Sequence, residues 1–208
     1  MINGRGMGKR IYTIGYSTFD IDRFVRALKG YGVNCLIDVR SVPSSSYFPD
    51  YNEKALKNRL ETEHIRYRHY PEFGARQPEQ QYYSQNGYLD FDLYLKSHEF
   101  LGGIERVLAG MRMGYCFSLM CAEKDPINCH RAIMVARGFE EAGCNVQHIR
   151  VDGDEKPFLE DQRELERRLL KKQGDDPDQI LMLETMEERI ARAYQKQNAL
   201  IGYRMNDN

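Results

Sequence analysis

No stretch of the sequence approaches the roughly 20 apolar residues that a helical membrane span requires, so no membrane role is expected. A dominant charge is also missing. Thirty Lys and Arg face 31 Asp and Glu, for a formal charge of -1. That balance excludes a global basic field for nucleic acid, though not a local patch. The lead from Met1 to Lys9 lacks the apolar core of a signal peptide. Residues 1–9 read as a short flexible N-terminus, and the expected location is cytoplasmic. The five cysteines are an odd number, and nothing points to export, so reduced thiols are expected. Cys35 and Cys116 fall in apolar runs and read as core thiols. Cys144, after Gly143 at a helix end, reads as structural.

Several familiar motifs are absent. No G-x-G-x-x-G follows the first apolar run, and no G-x-x-x-x-G-K-[ST] occurs. The residue six places after Cys121 is Ile127, so a Cys followed by five residues and Arg, as phosphatases use, is missing there.

What is present suits one domain with an appendage: 208 residues, 41% of them hydrophobic and 29% charged. The mean hydropathy of -0.66 implies a very wet surface. Ile11-Tyr12-Thr13-Ile14 reads as a strand that stops at Gly15. Ile21, Phe24, Val25 and Leu28 form a helical stripe capped by Thr18 or Asp20. Asn34 to Arg40 is a second strand, Ser41 to Pro49 a loop, and Glu53 to Glu63 a short helix. Ile65 to Tyr70 is a third strand. Gln77 to Asp90 reads as a long polar loop carrying Tyr82, Tyr83 and Tyr88. Glu99 to Ala109 is helical, Tyr115 to Cys121 the clearest strand, His130 to Ala142 a helix, and Val146 to Val151 a last strand. The alternation predicts a three-layer α/β fold over residues 10–153, a mainly parallel sheet with helices on both faces. Residues 154–208 read as a C-terminal helical extension, with charged helical runs at 155–173 and 178–200. Leu183, Met186, Ile190 and Ala193 make a partial heptad there. It serves either as a face packed on the domain or as a homodimer contact.

Ligands of open parallel sheets bind beyond the carboxyl ends of the strands. Those ends carry Gly15, Tyr16 and Ser17; Asp38 and Arg40; Phe73, Gly74, Ala75 and Arg76; Cys121 and Glu123; and His148. Core strands have little use for such polar residues unless they are paired. Cys129-His130-Arg131 would open a helix near Asn128, where free N–H groups and the dipole favour an anion and activate a thiol. Arg40, Arg76 and Arg131 could clamp a phosphate or carboxylate. The alternatives stay open: an Asn128 cap, a filler Cys129, a core His130, and Arg131 paired with Asp38 or Glu123. A zinc site is a third reading, although the eight-residue gap from Cys121 to Cys129 is wider than in compact structural zinc sites.

Thr13-Ile14-Gly15-Tyr16-Ser17, Asp38-Val39-Arg40 with Pro43-Ser44, Phe73-Gly74-Ala75-Arg76, and Cys121-Ala122-Glu123 with Cys129-His130-Arg131 together resemble a bacterial and archaeal family, domain of unknown function 488. The resemblance runs from about residue 10 to 151 and adds Ser44 to the candidate ligand-binding set. It implies a small cytoplasmic α/β domain but no reaction. Tyr16 stands where the family usually has His, and Phe73-Gly74-Ala75 where it has Leu-Gly-Gly. The first departure removes a histidine base from that strand end.

Three functions follow. One is an enzyme on a small anionic, phosphorylated or nucleotide-like ligand, with Cys121 or Cys129 as nucleophile, His130 or Glu123 as acid–base group, and the three arginines as clamp. A second is a nucleotide- or nucleic-acid-binding module in which Tyr82, Tyr83 and Tyr88 stack bases near Arg66, Arg68 and Arg76. The third is a metal site on Cys121, Cys129 and His130. The cofactor is left open.

Overall fold

The computed structural model describes residues 9–153, 156–179 and 181–204. Most of the lead at 1–9 lies outside the described residues. Strands β1 (Arg10–Gly15), β2 (Cys35–Asp38), β3 (Arg66–His69), β4 (Phe117–Cys121), β5 (Asn145–Arg150) and β6 (Phe158–Asp161) form one sheet. Its order is β3-β2-β4-β1-β5-β6, parallel except for the antiparallel β5–β6 pair. β1, β2 and β4 are buried almost throughout, as strands covered on both sides must be.

Side chains alternate between two cores. Tyr12, Ile14, Leu36 and Met120 face helices α1 (Ile21–Gly30) and α2 (Glu53–Glu61). Ile11, Ile37, Val39, Leu119 and Val146 face the opposite layer. That layer contains α3 (Phe91–Tyr94), α4 (His98–Arg112), α5 (Arg137–Glu141), α6 (Gln162–Lys172) and α7 (Met186–Ile201). The fold is therefore the expected three-layer α/β arrangement. Asp20 caps α1 by accepting from the Arg23 N–H at 2.8 Å. Among the described residues no helix is long and apolar enough to cross a membrane.

Several details differ from the expected elements. β2 ends at Asp38, and Tyr115 and Cys116 precede β4 rather than belonging to it. Cys116 is only half-buried, whereas Cys35 and Cys144 are buried and burial pushes both thiols up to about 11. Residues 158–161, expected to be helical, form β6. Two apolar residues followed by two acidic ones, Phe158-Leu159-Glu160-Asp161, give this edge strand no period-2 signal. The second charged run becomes helical only at Met186, which leaves Leu183 in the preceding loop.

The C-terminal helices are tied to the sheet by a buried polar chain. The Thr13 hydroxyl lies 2.8 Å from His148 Nδ1, and His148 Nε2 lies 2.8 Å from Gln162 Oε1. Gln162 donates to the Tyr194 hydroxyl at 2.6 Å. The glutamine oxygen only accepts, so His148 carries its proton on Nε2 and accepts on Nδ1. His148 thus sits mid-strand in the core rather than at a ligand-binding strand end. Burial, only partly opposed by Gln162, brings its pKa down to about 3. An unfolded histidine titrates near 6.5. Below that pH the unfolded chain binds a proton that the folded chain refuses. This part of the stability is full above neutrality and falls by ~1.4 kcal/mol per unit between about pH 6 and 4. Urea unfolding across that range should show the slope, and His148→Gln should flatten it; equal slopes in the two proteins would refute this.

Candidate functional site

The strand register brings the site together. Gly15 pairs with Cys121, and Asp38 with Met120, so the carboxyl ends of β1, β2 and β4 open on one crevice. The Ala122–Asn128 loop then folds back across the end of β1. The Ser17 N–H donates to the Ala122 carbonyl at 3.0 Å. A Cβ on Gly15 would lie 1.9 Å from the Glu123 carbonyl oxygen, so only glycine allows this approach.

Arg131 fixes the same loop. It is fully buried, and it donates to the carbonyls of Glu123 at 2.7 Å and Lys124 at 3.3 Å. Its Nε has no partner among the described residues. The side chain expected to clamp an anion therefore holds backbone. Residues of the C-terminal region brace the loop from outside. Arg168 of α6 binds Asp125 at 2.8 and 3.0 Å, and Gln197 of α7 donates to the Ile127 carbonyl at 2.7 Å.

The helix start also differs from the expected one. Asp125, not Asn128, caps a single 3₁₀ turn, Pro126–Asn128, by accepting from the Ile127 N–H. Cys129 is extended (φ -133°, ψ 136°), and its carbonyl accepts from Ala132 and Ile133. It thus occupies the cap position, not the first turn. A π-helical turn, Arg131–Ala136, follows and leads into α5. Such turns are frequent at functional sites.

These turns aim three donor atoms at one point. Cys121 Sγ, Cys129 Sγ and a His130 ring nitrogen all lie within 4.8 Å of one another. His130 Nδ1 is 4.0 Å from Cys121 Sγ. Its Nε2 is 2.9 Å from the Val39 carbonyl, an acceptor only, so Nε2 carries a proton and Nδ1 is the nitrogen that faces the sulfurs. Cys129 Sγ is 2.8 Å from Glu123 Oε2. The hydrogen bond to Cys129 and burial raise the Cys121 thiol well above its usual value. Burial would do the same to Cys129, but the Cys121 hydrogen bond and the charges of Arg131 and His130 outweigh it and hold Cys129 well below its usual value. Burial and the nearby Cys129 raise Glu123.

The cluster lies in the wall of a cavity of about 520 Å³ that is also lined by Tyr16, Arg40, Ser41, Ser44 and Ala75. Arg40 is held there by buried Asp38, at 2.6 and 2.9 Å, and by the Tyr51 carbonyl at 2.8 Å. Asp38 itself stays in the core and also accepts from the Tyr67 hydroxyl. Tyr16 stacks on Tyr51 at 4.3 Å. Gly74 packs against Ser41, where a Cβ would meet the serine hydroxyl at 2.6 Å. Arg76 lies in an adjoining cavity, so the three arginines do not converge.

The end of α7 and the residues after it, Leu200, Ile201, Gly202, Tyr203 and Arg204, line the main cavity as well. No hydrophobic period marks residues 201–204. Asn198 anchors them by bridging the Phe91 N–H and the Leu89 carbonyl.

The model of a protein family, Domain of unknown function DUF488, matches residues 20–137, more than half of the chain. The chain belongs to this family. No curated protein and no solved structure shows a significant match. The DUF488 match takes in Arg40, Gly74, Cys121, Glu123, Cys129, His130 and Arg131. It leaves out Gly15 to Ser17 and the C-terminal wall at 200–204.

The loop tyrosines of the second function are committed elsewhere. Tyr82 packs edge-on against Tyr94, the Tyr83 hydroxyl donates to the Gln77 carbonyl at 2.8 Å, and Arg204 covers Tyr88. Arg66 lies over Tyr115. Within the partial heptad Ala193 is buried in this chain's own core, and Met186 and Ile190 pack against it.

Proposed function

We propose that this protein is a metalloenzyme that holds a zinc-type ion with Cys121, Cys129 and His130. The observation that carries this reading is the convergence of two sulfurs and an imidazole nitrogen within 4.8 Å. With Zn–S near 2.3 Å and Zn–N near 2.0–2.1 Å, tetrahedral ligand atoms stand about 3.5–3.8 Å apart. A contraction of about 1 Å, well within side-chain rotation, therefore closes the set. The hydrogen bond from His130 Nε2 to the Val39 carbonyl is the usual support of a ligating histidine. Three protein ligands with a fourth position toward a cavity is the pattern of catalytic rather than structural zinc. Such an ion supplies Lewis acidity to a bound water or carbonyl. Glu123, with its raised pKa, is the group placed to hold and move the proton. The eight-residue gap between the cysteines suits this reading, because the sheet end and not a compact knuckle brings them together.

Protein purified without chelator from zinc-supplemented cells is expected to carry about one equivalent of zinc. Cys129→Ser and His130→Ala should each weaken the site roughly 100-fold or more, beyond the 10–100-fold typical of a lost supporting residue. At metal 100-fold above its dissociation constant, chelation should lower the melting temperature by about 5–10 °C.

One observation favours a second reading, a metal-free Cys129 nucleophile. Among the described residues Arg131 is a buried cation bonded only to carbonyls, and the neighbouring thiolate would balance its charge. Substoichiometric metal together with rapid alkylation of Cys129 near neutral pH would favour this reading over the first. A metal-free protein with inert thiols would dismiss both.

A further inference from the structure

The main cavity does not end at the cysteine cluster. Ser41, Val42 and Tyr203 line both it and a neighbouring cavity of about 440 Å³ that also contains Arg76 and Tyr83. The two compartments therefore adjoin across Ser41, Val42 and Tyr203. The second is a size that accepts small ligands.

Arg76 is the distinctive group of this compartment. Its guanidinium lies over the Tyr203 ring, 5.0 Å from the centroid. That contact covers one face and leaves the in-plane N–H fork without a protein acceptor among the described residues. The backbone that carries it is held in place from below. The Arg76 N–H donates to Ser41 Oγ at 2.9 Å. Gln77 ties the preceding turn by donating to the carbonyls of Pro71 and Gly74 at 2.9 and 2.8 Å. An exposed arginine fixed by stacking, with its fork free, is preorganised for an oxyanion. A second observation points the same way. The Tyr203 hydroxyl is buried yet has no hydrogen-bond partner, and an unpaired buried hydroxyl is costly unless a ligand satisfies it.

We infer that the second compartment receives the anionic arm of a small ligand, a phosphate or carboxylate gripped by Arg76 and hydrogen-bonded by Tyr203, while the reacting end reaches the cysteine cluster. This deepens the metal-site reading and rests on it for what happens at the reacting end, but the grip on the anion is independent of the ion. Tyr203 lies outside the family-matched residues 20–137. The C-terminal segment thus adds a ligand-contacting residue to the family-matched core that contains the cysteine cluster.

The test is calorimetric titration of the full chain with adenosine 5′-monophosphate and with nicotinate, which supply a ring with either anion, and with adenosine as the uncharged control. Binding of at least one anion, weakened roughly tenfold or more by Arg76→Gln and two- to tenfold by Tyr203→Phe, is the expected result. The anion that shows this dependence identifies the source. Arg76→Lys, which keeps the charge but not the fork, should fall between the parent and Arg76→Gln. Neither anion binding better than adenosine, or equal binding by parent and Arg76→Gln, overturns the inference. Zinc content is measured on the same samples. Arg76-dependent anion binding by a protein that takes up no zinc defeats only the metal reading. Full zinc with no Arg76 dependence defeats only this one.

Discussion

Gly15→Ala is expected to destabilise the protein by about 3 kcal/mol or more, the upper end of the usual cost of overpacking. The reason is local. The new methyl would lie 1.9 Å from the Glu123 carbonyl oxygen and 3.0 Å from an Arg131 nitrogen. The first is backbone and cannot rotate away, and Arg131 is buried on the other side of it. Either the end of β1 or the Ala122–Asn128 loop must move. If the loop moves, Glu123 and Cys129 move with it. For a chain of this size the melting temperature should fall by about 6–12 °C, with reduced zinc uptake. A melting temperature within 2 °C of the parent and unchanged zinc content would show that the close approach is not required.

Arg131→Met should act on stability and thiol chemistry together. It removes the donors to the Glu123 and Lys124 carbonyls. Each buried acceptor left unpaired costs about 1–3 kcal/mol, against which stands some relief from no longer burying a guanidinium. The change in reactivity is clearer in sign. Burial alone would raise the Cys129 thiol, and the Arg131 charge is one of the influences that hold it down. In chelated protein the pH at which Cys129 becomes alkylated should therefore rise in Arg131→Met. In Arg131→Lys, which keeps the charge, it should rise less. An unchanged alkylation profile in Arg131→Met would rule out the electrostatic role.

The strand ends show how much of this was legible beforehand. Gly15, Asp38, Arg40, Cys121 and Glu123 were readable because apolar runs mark buried strands and polar residues at their ends stand out. The role of each arginine was not readable, because it depends on pairing that only the fold creates. Arg40 is held by Asp38, Arg131 by carbonyls, and Arg76 lies one compartment away. The start of the helix after Cys129 is not legible for a similar reason. Asp125 and Asn128 are both good cap residues, and the sequence does not say that a separate 3₁₀ turn takes the first of them. β6 was hidden in a charged run whose helical period dominates from Gln162 onward. The contribution of Tyr203 and Arg204 was invisible, because it rests on contacts such as Asn198 to Leu89, more than a hundred positions apart.

The π-helical turn at Arg131–Ala136 has a consequence for how such a chain can vary. Its hydrogen-bonded rings hold one residue more than those of an α-helix, and all six of its side chains are buried. Loss of one residue here returns the turn to ordinary α-helical rings while the segments on either side keep their register. Loss of a second would rotate everything before it by about 100° relative to everything after it, taking His130 from the Val39 carbonyl and Cys129 from Glu123. A one-residue deletion is therefore expected to be absorbed between Cys129 and Arg137, and a two-residue deletion is not.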